Sequence, residues 1–251
     1  MYMKKLYLFI VLVAFPLLAM AQASGGQIRR PSQTHQNNQS NSQRRLLANK
    51  INNHEYVDLG LSVKWATCNI GASKPEEYGN YYAWGEVRTK QNYSWETYND
   101  LVKTNINYDL TKDDYVLTKE YFHKYDRFSS TTFVKEDDAA TISWGQSWRT
   151  PSVEDVIELW NLPHEWVTIK GVTGMKFTAP NGNSIFLPAT GGIKLSSSFE
   201  KSETGYYWTR NLHDDDYDVS ELAKVFGFDK EGGGLVRAKR YYGFAIRPVT
   251  K

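Results

Sequence analysis

Cysteine is nearly missing from this chain: Cys68 is the only one among 251 residues. No internal disulfide can form, so the fold must be held by its core, and a chain of this length buries roughly 70% of its unfolded surface without a staple. Cys68 itself reads as a small buried hydrophobe, with interchain pairing or nucleophilic chemistry as the other roles open to it. Long apolar runs are also lacking. The run from Leu6 to Leu18 has thirteen residues and contains Pro16, short of the roughly 20 that cross a bilayer. With Lys4 and Lys5 before it and Ala19-Met20-Ala21 after it, that run reads as a cleavable signal peptide over 1–21. No transmembrane segment is expected after cleavage, and the mature chain is expected outside the cytoplasm: periplasmic, surface-associated or secreted.

Acids are absent from residues 22–54, which carry Arg29, Arg30, Arg44, Arg45 and Lys50 among Gln, Asn and Ser. So little apolar surface cannot offset ordering entropy, and the segment reads as a polar disordered linker. Beyond it, 23 bases face 28 acids. A mildly acidic domain over 55–251 excludes a nucleic-acid reader that depends on a basic face.

Catalytic signatures are missing as well. There is no zincin pair, no Gly-x-Ser-x-Gly elbow and no phosphate-cradling glycine loop. The five histidines are His35 and His54 in the linker and His123, His164 and His213, far apart and none near Cys68. Glu136, Asp137 and Asp138 could pair as glycosidase carboxylates, but adjacent acids in a turn ordinarily face solvent. No cofactor or metal is expected.

What the chain has in quantity is aromatic surface, with 8 Trp and 17 Tyr. Val57, Leu59, Leu61, Val63 and Trp65 alternate, which predicts a strand with one buried face. Tyr81–Gly85 is a candidate second strand, and residues 88–135 read as an irregular insertion. Thr150 as cap, Pro151 in the first turn and Val153, Val156, Ile157 and Trp160 on one face predict a helix over about 151–161, stopped by Pro163. A short helix is possible at Glu136–Ala140. Asn181-Gly182 between Met175–Ala179 and Ile185–Leu187 predicts a hairpin with both turn residues at positive φ. Another hairpin is expected from Ala223–Phe228 through Gly232-Gly233-Gly234 into Leu235–Val249. The class is α+β.

The words Val57-Asp58-Leu59-Gly60-Leu61-Ser62-Val63-Lys64-Trp65-Ala66-Thr67-Cys68-Asn69, Tyr82-Ala83-Trp84-Gly85-Glu86, Ser147-Trp148-Arg149-Thr150-Pro151, Gly182-Asn183-Ser184-Ile185-Phe186-Leu187-Pro188-Ala189, Tyr207-Trp208 and Ile246-Arg247-Pro248-Val249 cover nearly all of the domain. In order and spacing it resembles the Fibrobacter succinogenes major paralogous domain family, bacterial surface and secreted domains. The resemblance implies a C-type lectin-like fold of twisted antiparallel sheets, one clear helix and long loops, with the N- and C-terminal strands adjacent. It also implies that these words are scaffold. Arg149 and Arg247 then read as buried hydrogen-bond hubs, with a grip on a ligand carboxylate as the alternative.

Ligand contact is expected from the late loops: Trp208, Arg210, Asn211, His213, Asp214, Asp216, Tyr217 and Asp218, joined by Lys239, Arg240, Tyr241 and Tyr242. Alternation would put Lys239 and Tyr241 on one face and Arg240 and Tyr242 on the other. Asp214, Asp216 and Asp218 suggest calcium, yet Val219 and Val225 stand where a calcium loop needs Gly and Glu. The lectin calcium triplets are also degraded, to Ala179-Pro180-Asn181 and Trp208-Thr209-Arg210. The leading expectation is an exported, non-catalytic binding or adhesion module for a glycan or protein. The alternatives are a secreted hydrolase using carboxylates of 214–218 and a structural component of a surface assembly.

Overall fold

The computed structural model describes residues 49–99, 101–103, 121–123, 131–213 and 221–251, with 101–103 and 121–123 described as backbone alone. The first and last described strands share one antiparallel sheet. Strands β1 (Lys50–Ile51), β2 (His54–Val57), β3 (Lys64–Ala66) and β14 (Val249–Thr250) lie in the order β1-β2-β3-β14. Val249 sits opposite Trp65, and Val57 sits opposite Trp65 on the other side. The expected adjacency of terminal strands is present, carried by β3 rather than by β1.

Two expectations about this region change. Strand pairing reaches back to Lys50, inside the span read as linker, because Asn52 and Asn53 adopt positive φ of 49° and 66° and close a tight hairpin. Asn tolerates that conformation better than most residues, which is what a two-residue turn requires. His54 therefore belongs to the fold. The alternating run Val57–Trp65 is not one strand either. Asp58 Oδ1 accepts from Gly60 N at 2.9 Å, Gly60 takes φ +72°, and the chain bends through residues 60–63. Asn181 and Asn183 donate to the Asp58 carbonyl at 3.0 and 2.8 Å, pinning the bend. Leu59 and Val63 are buried all the same, so alternation marks inward side chains on a looped backbone.

A second sheet is the meander β6 (His164–Ile169), β7 (Val172–Thr178) and β8 (Ser184–Pro188). The β7–β8 hairpin stands where expected, but its turn differs: only Gly182 has positive φ, and Gly182 N donates to Ala179 O at 2.9 Å. Pro180 presets φ for a type I turn and Gly182 follows it, giving a three-residue loop. The third sheet runs β11 (Gly205–Leu212), β12 (Leu222–Phe228), β13 (Gly233–Lys239). Its last hairpin ends at Lys239, short of the expected Val249.

Tyr81–Gly85 forms no strand; Tyr82 makes a single bridge to Phe244. Within the expected insertion, β4 (Leu101–Lys103) pairs with β5 (Tyr121–His123), and Tyr93, Trp95 and Tyr98 are buried with Ala83 and Tyr241. A further hairpin joins β9 (Gly192–Lys194) to β10 (Ser197–Phe199).

Helix α1 (Ala139–Trp144) follows a 3-10 turn at Lys135–Asp137, and its N-cap is Asp138. Helix α2 (Val153–Trp160) starts two residues later than expected. Ser152 caps it, with Asp155 Oδ2 accepting from Ser152 N at 2.6 Å in a capping box. Thr150 is already occupied elsewhere. Val156 and Leu159 face the core while Ile157 is exposed, against its expected inward position. Among the described residues no helix is long and apolar enough to cross a membrane.

Tryptophan fills the core. Trp84, Trp148 and Trp208 pack in one cluster, and Trp65 with Phe177 and Tyr207 in a neighbouring one. Arg247 is the hub expected of it: its Nε donates to Asn69 Oδ1 at 2.7 Å, Nη1 to Thr67 O at 2.8 Å and Nη2 to Phe186 O at 3.1 Å. Neutral acceptors hold this buried cation, and desolvation lowers its pKa.

Candidate functional site

Among the described residues, the late segments do not converge on one ligand face. Trp208 is 1% exposed, and its indole Nε1 donates to Tyr82 O at 2.7 Å. Arg240 is 0% exposed, its guanidinium stacked 4.8 Å from the Trp84 ring centroid. Tyr241 packs edge-on against Trp95, and His213 is buried beside Arg237. These four side chains, expected to meet ligand, are scaffold in this fold. The face assignment for 239–242 fails because β13 ends at Lys239 and the chain turns, with Tyr242 N donating to Lys239 O at 3.0 Å.

The other candidates scatter. Lys239 pairs with Glu221. Tyr242 is half-buried against Phe199 and Phe244. Asn211 Oδ1 accepts from Val153 N at 3.0 Å, satisfying an open donor at the start of α2. Asp214, Asp216, Tyr217 and Asp218 lie outside the described residues. Cys68 is half-buried rather than fully buried.

Among the described candidates, Arg210 leads to a site. The β11–β12 register slips between Trp208 and Leu212, the mark of a bulge, which re-aims side chains. In that interval Arg210 N donates to Pro151 O at 2.8 Å, and Leu212 N donates to Thr131 O at 2.7 Å. The Arg210 side chain thereby enters the wall of a cavity of about 530 Å³, within the usual range of roughly 300–1,000 Å³ for ligand pockets.

Ile51, α1 with its preceding turn, the segment 146–149, Arg210 and Thr250–Lys251 enclose this cavity. Its wall is fixed by hydrogen bonds. Trp148 Nε1 donates to Ile51 O at 3.2 Å, and Thr141 Oγ1 to Trp148 O at 2.8 Å. Asp138 is 1% exposed, not solvent-facing as its acidic neighbours suggested. Its oxygens accept from Ala140 N at 3.0 Å, from Thr150 N at 3.0 and 3.1 Å and from Thr150 Oγ1 at 2.7 Å. That explains both why Thr150 cannot cap α2 and how a buried carboxylate is tolerated.

The cations differ in their engagement. Arg149 is clamped by Asp155, with Nη1–Oδ2 at 2.5 Å and Nη2–Oδ1 at 3.0 Å. Arg210 Nη2 donates to Phe133 O at 2.9 Å, while its buried Nε has no hydrogen-bond partner among the described residues. Lys135 is exposed at the rim. Neither Arg210 nor Lys135 pairs with a carboxylate among the described residues. Gln146 and Ser147 add neutral polar groups to the lining.

The chain matches no family model, no curated protein and no solved structure. The site's chemistry has to be read from its own side chains. Among the described residues no group of three or more His, Cys, Asp or Glu side chains could hold a metal ion. Sequence reasoning named Arg210 and Arg149 but missed Lys135, Gln146 and Ser147. Nothing in their local pattern signals the site, since the lining comes from segments brought together only by the meeting of chain ends.

Proposed function

We propose that this chain is an exported, non-catalytic binding domain of C-type lectin-like fold that recognises a glycan or protein ligand outside the cytoplasm, with the cavity beside Trp148 as its recognition site. One observation carries the reading. Lys135 and Arg210 bring cationic donors to a concavity without a carboxylate partner among the described residues, whereas the cavity's own carboxylate, Asp138, is taken up by Thr150 and Ala140. Donors left unsatisfied by the fold gain most from a ligand that supplies acceptors.

Export rests on Lys4, Lys5, the apolar run and Ala19-Met20-Ala21, and the acid-free segment that follows serves as a tether. The lectin-like reading draws support from the single sheet that unites the chain's ends and from a tryptophan core that stands without disulfides. Arrays of glycans and pull-downs from extracellular protein, using the secreted full chain, test the proposal. Saturable capture of a defined ligand is expected. Failure to retain any ligand, combined with steady turnover of a polysaccharide or peptide, would replace it with the hydrolase reading.

A further inference from the structure

Resting on that reading, we propose that the cavity is a site for a hydroxyl-rich carboxylate, the uronate residue of an acidic glycan. The charged groups are Lys135, Arg149, Arg210, Lys251 and Asp138. Arg149 is spent on Asp155 through two hydrogen bonds, so it shapes the wall and does not receive ligand. Asp138 turns its oxygens to the Thr150 and Ala140 donors. Lys135, Arg210 and the exposed Lys251 are what remains to meet an anion.

Arg210 is the most selective of the three. A guanidinium presents a planar fork that matches a carboxylate. One edge of this fork is fixed by Phe133 O, to which Nη2 donates at 2.9 Å, so the group is positioned before ligand arrives. Lys135 at the rim supplies a mobile point charge.

Neutral side chains decide between an acidic sugar and an acidic polypeptide. The Gln146 amide and the Ser147 hydroxyl stand beside the cations in the same lining. They both donate and accept, as sugar hydroxyls do. A polypeptide would pair its backbone along an extended edge, but the strand ends that reach the cavity already have partners: Ile51 O accepts from Trp148 Nε1 at 3.2 Å, and Val249 exchanges backbone hydrogen bonds with Arg149. Ile51 contributes apolar surface for the C–H side of a ring.

Isothermal titration of the secreted full chain with tetragalacturonate, cellotetraose and tetraglutamate tests the inference. Tetragalacturonate is expected to bind, more weakly as salt is raised, while the other two do not. Lys135→Glu and Arg210→Gln should each weaken it about tenfold, the loss of one charge-assisted contact. Lys135 is exposed, so its variant should melt with the parent and decides the matter even if Arg210→Gln folds poorly. Equal binding of tetraglutamate, no binding of tetragalacturonate, or an unchanged affinity in Lys135→Glu overturns the proposal. Should the array yield a ligand that ignores these substitutions, the uronate site falls and the binding-domain reading stands; a chain that captures nothing loses both.

Discussion

Arg247 Nε and Asn69 Oδ1 meet at 2.7 Å although 178 positions separate them in the chain. The contact ties the approach to the last strand to the loop that follows β3, and it does so with a cation that has no carboxylate partner among the described residues. Ala66 O, Thr67 O and Phe186 O complete its shell. In a protein with a single cysteine this guanidinium serves the closing role that a disulfide would otherwise take.

Arg247→Met is therefore expected to cost about 3 kcal/mol in urea unfolding, since several buried acceptors lose their donor together. Arg247→Lys should recover only part, because an ammonium cannot reproduce the fork that spans Asn69 and Phe186.

Gly174 and Gly171 offer a contrast in the second sheet. A Cβ on Gly174 would stand 2.3 Å from Leu187 O and 2.7 Å from Pro188 Cα, backbone atoms that cannot step aside. Gly171 has open space around it but φ of +85°. Gly174→Ala should lose about 2–3 kcal/mol by overpacking, and Gly171→Ala about 1 kcal/mol by conformation alone. Thermal melts of the two variants check the ordering.

How far the sequence carries can be judged from particular elements. The β12–β13 hairpin and helix α2 were visible because their periods are local and their turn residues are Gly, Ser and Pro. Val57–Trp65 misled because burial on one side produces alternation whether the backbone is extended or bent, and the bend depends on Asn181 and Asn183, distant in sequence. The cavity was invisible for a related reason. Arg210 stands out as a cation within an aromatic strand, but a register slip at 208–212 decides where it points, and no composition encodes that slip. Aromatics and cations recognise ligands, which makes Trp208 and Arg240 read as surface, whereas here the Trp208 indole donates to Tyr82 O and the Arg240 guanidinium stacks on Trp84 in the core.

His54 stacks on Trp144 with centroids 3.8 Å apart and planes within 6°. Burial lowers its pKa from the ordinary 6.5, so the folded state prefers the neutral ring. The corresponding stability is complete above the unfolded pKa and is lost as pH falls through the lower, folded value. The melting temperature should drop as pH falls below the ordinary histidine value of 6.5. His54→Phe, which keeps a flat ring on Trp144, should make that drop smaller.

Trp208→Phe separates scaffold from ligand contact. It removes the Nε1 donor to Tyr82 O and leaves a gap among Trp84, Phe244 and Val225. A loss of about 2 kcal/mol in stability is expected, with affinity for any captured ligand unchanged in protein that remains folded.

Side-by-side titration of tetragalacturonate into Lys135→Glu and Lys239→Ala asks where recognition occurs. Lys135 rims the cavity, and Lys239 ends the late hairpin in an ion pair with Glu221. The account requires affinity to fall about tenfold in the first variant and to hold in the second. Loss confined to Lys239→Ala would return the binding surface to the late loops and contradict it.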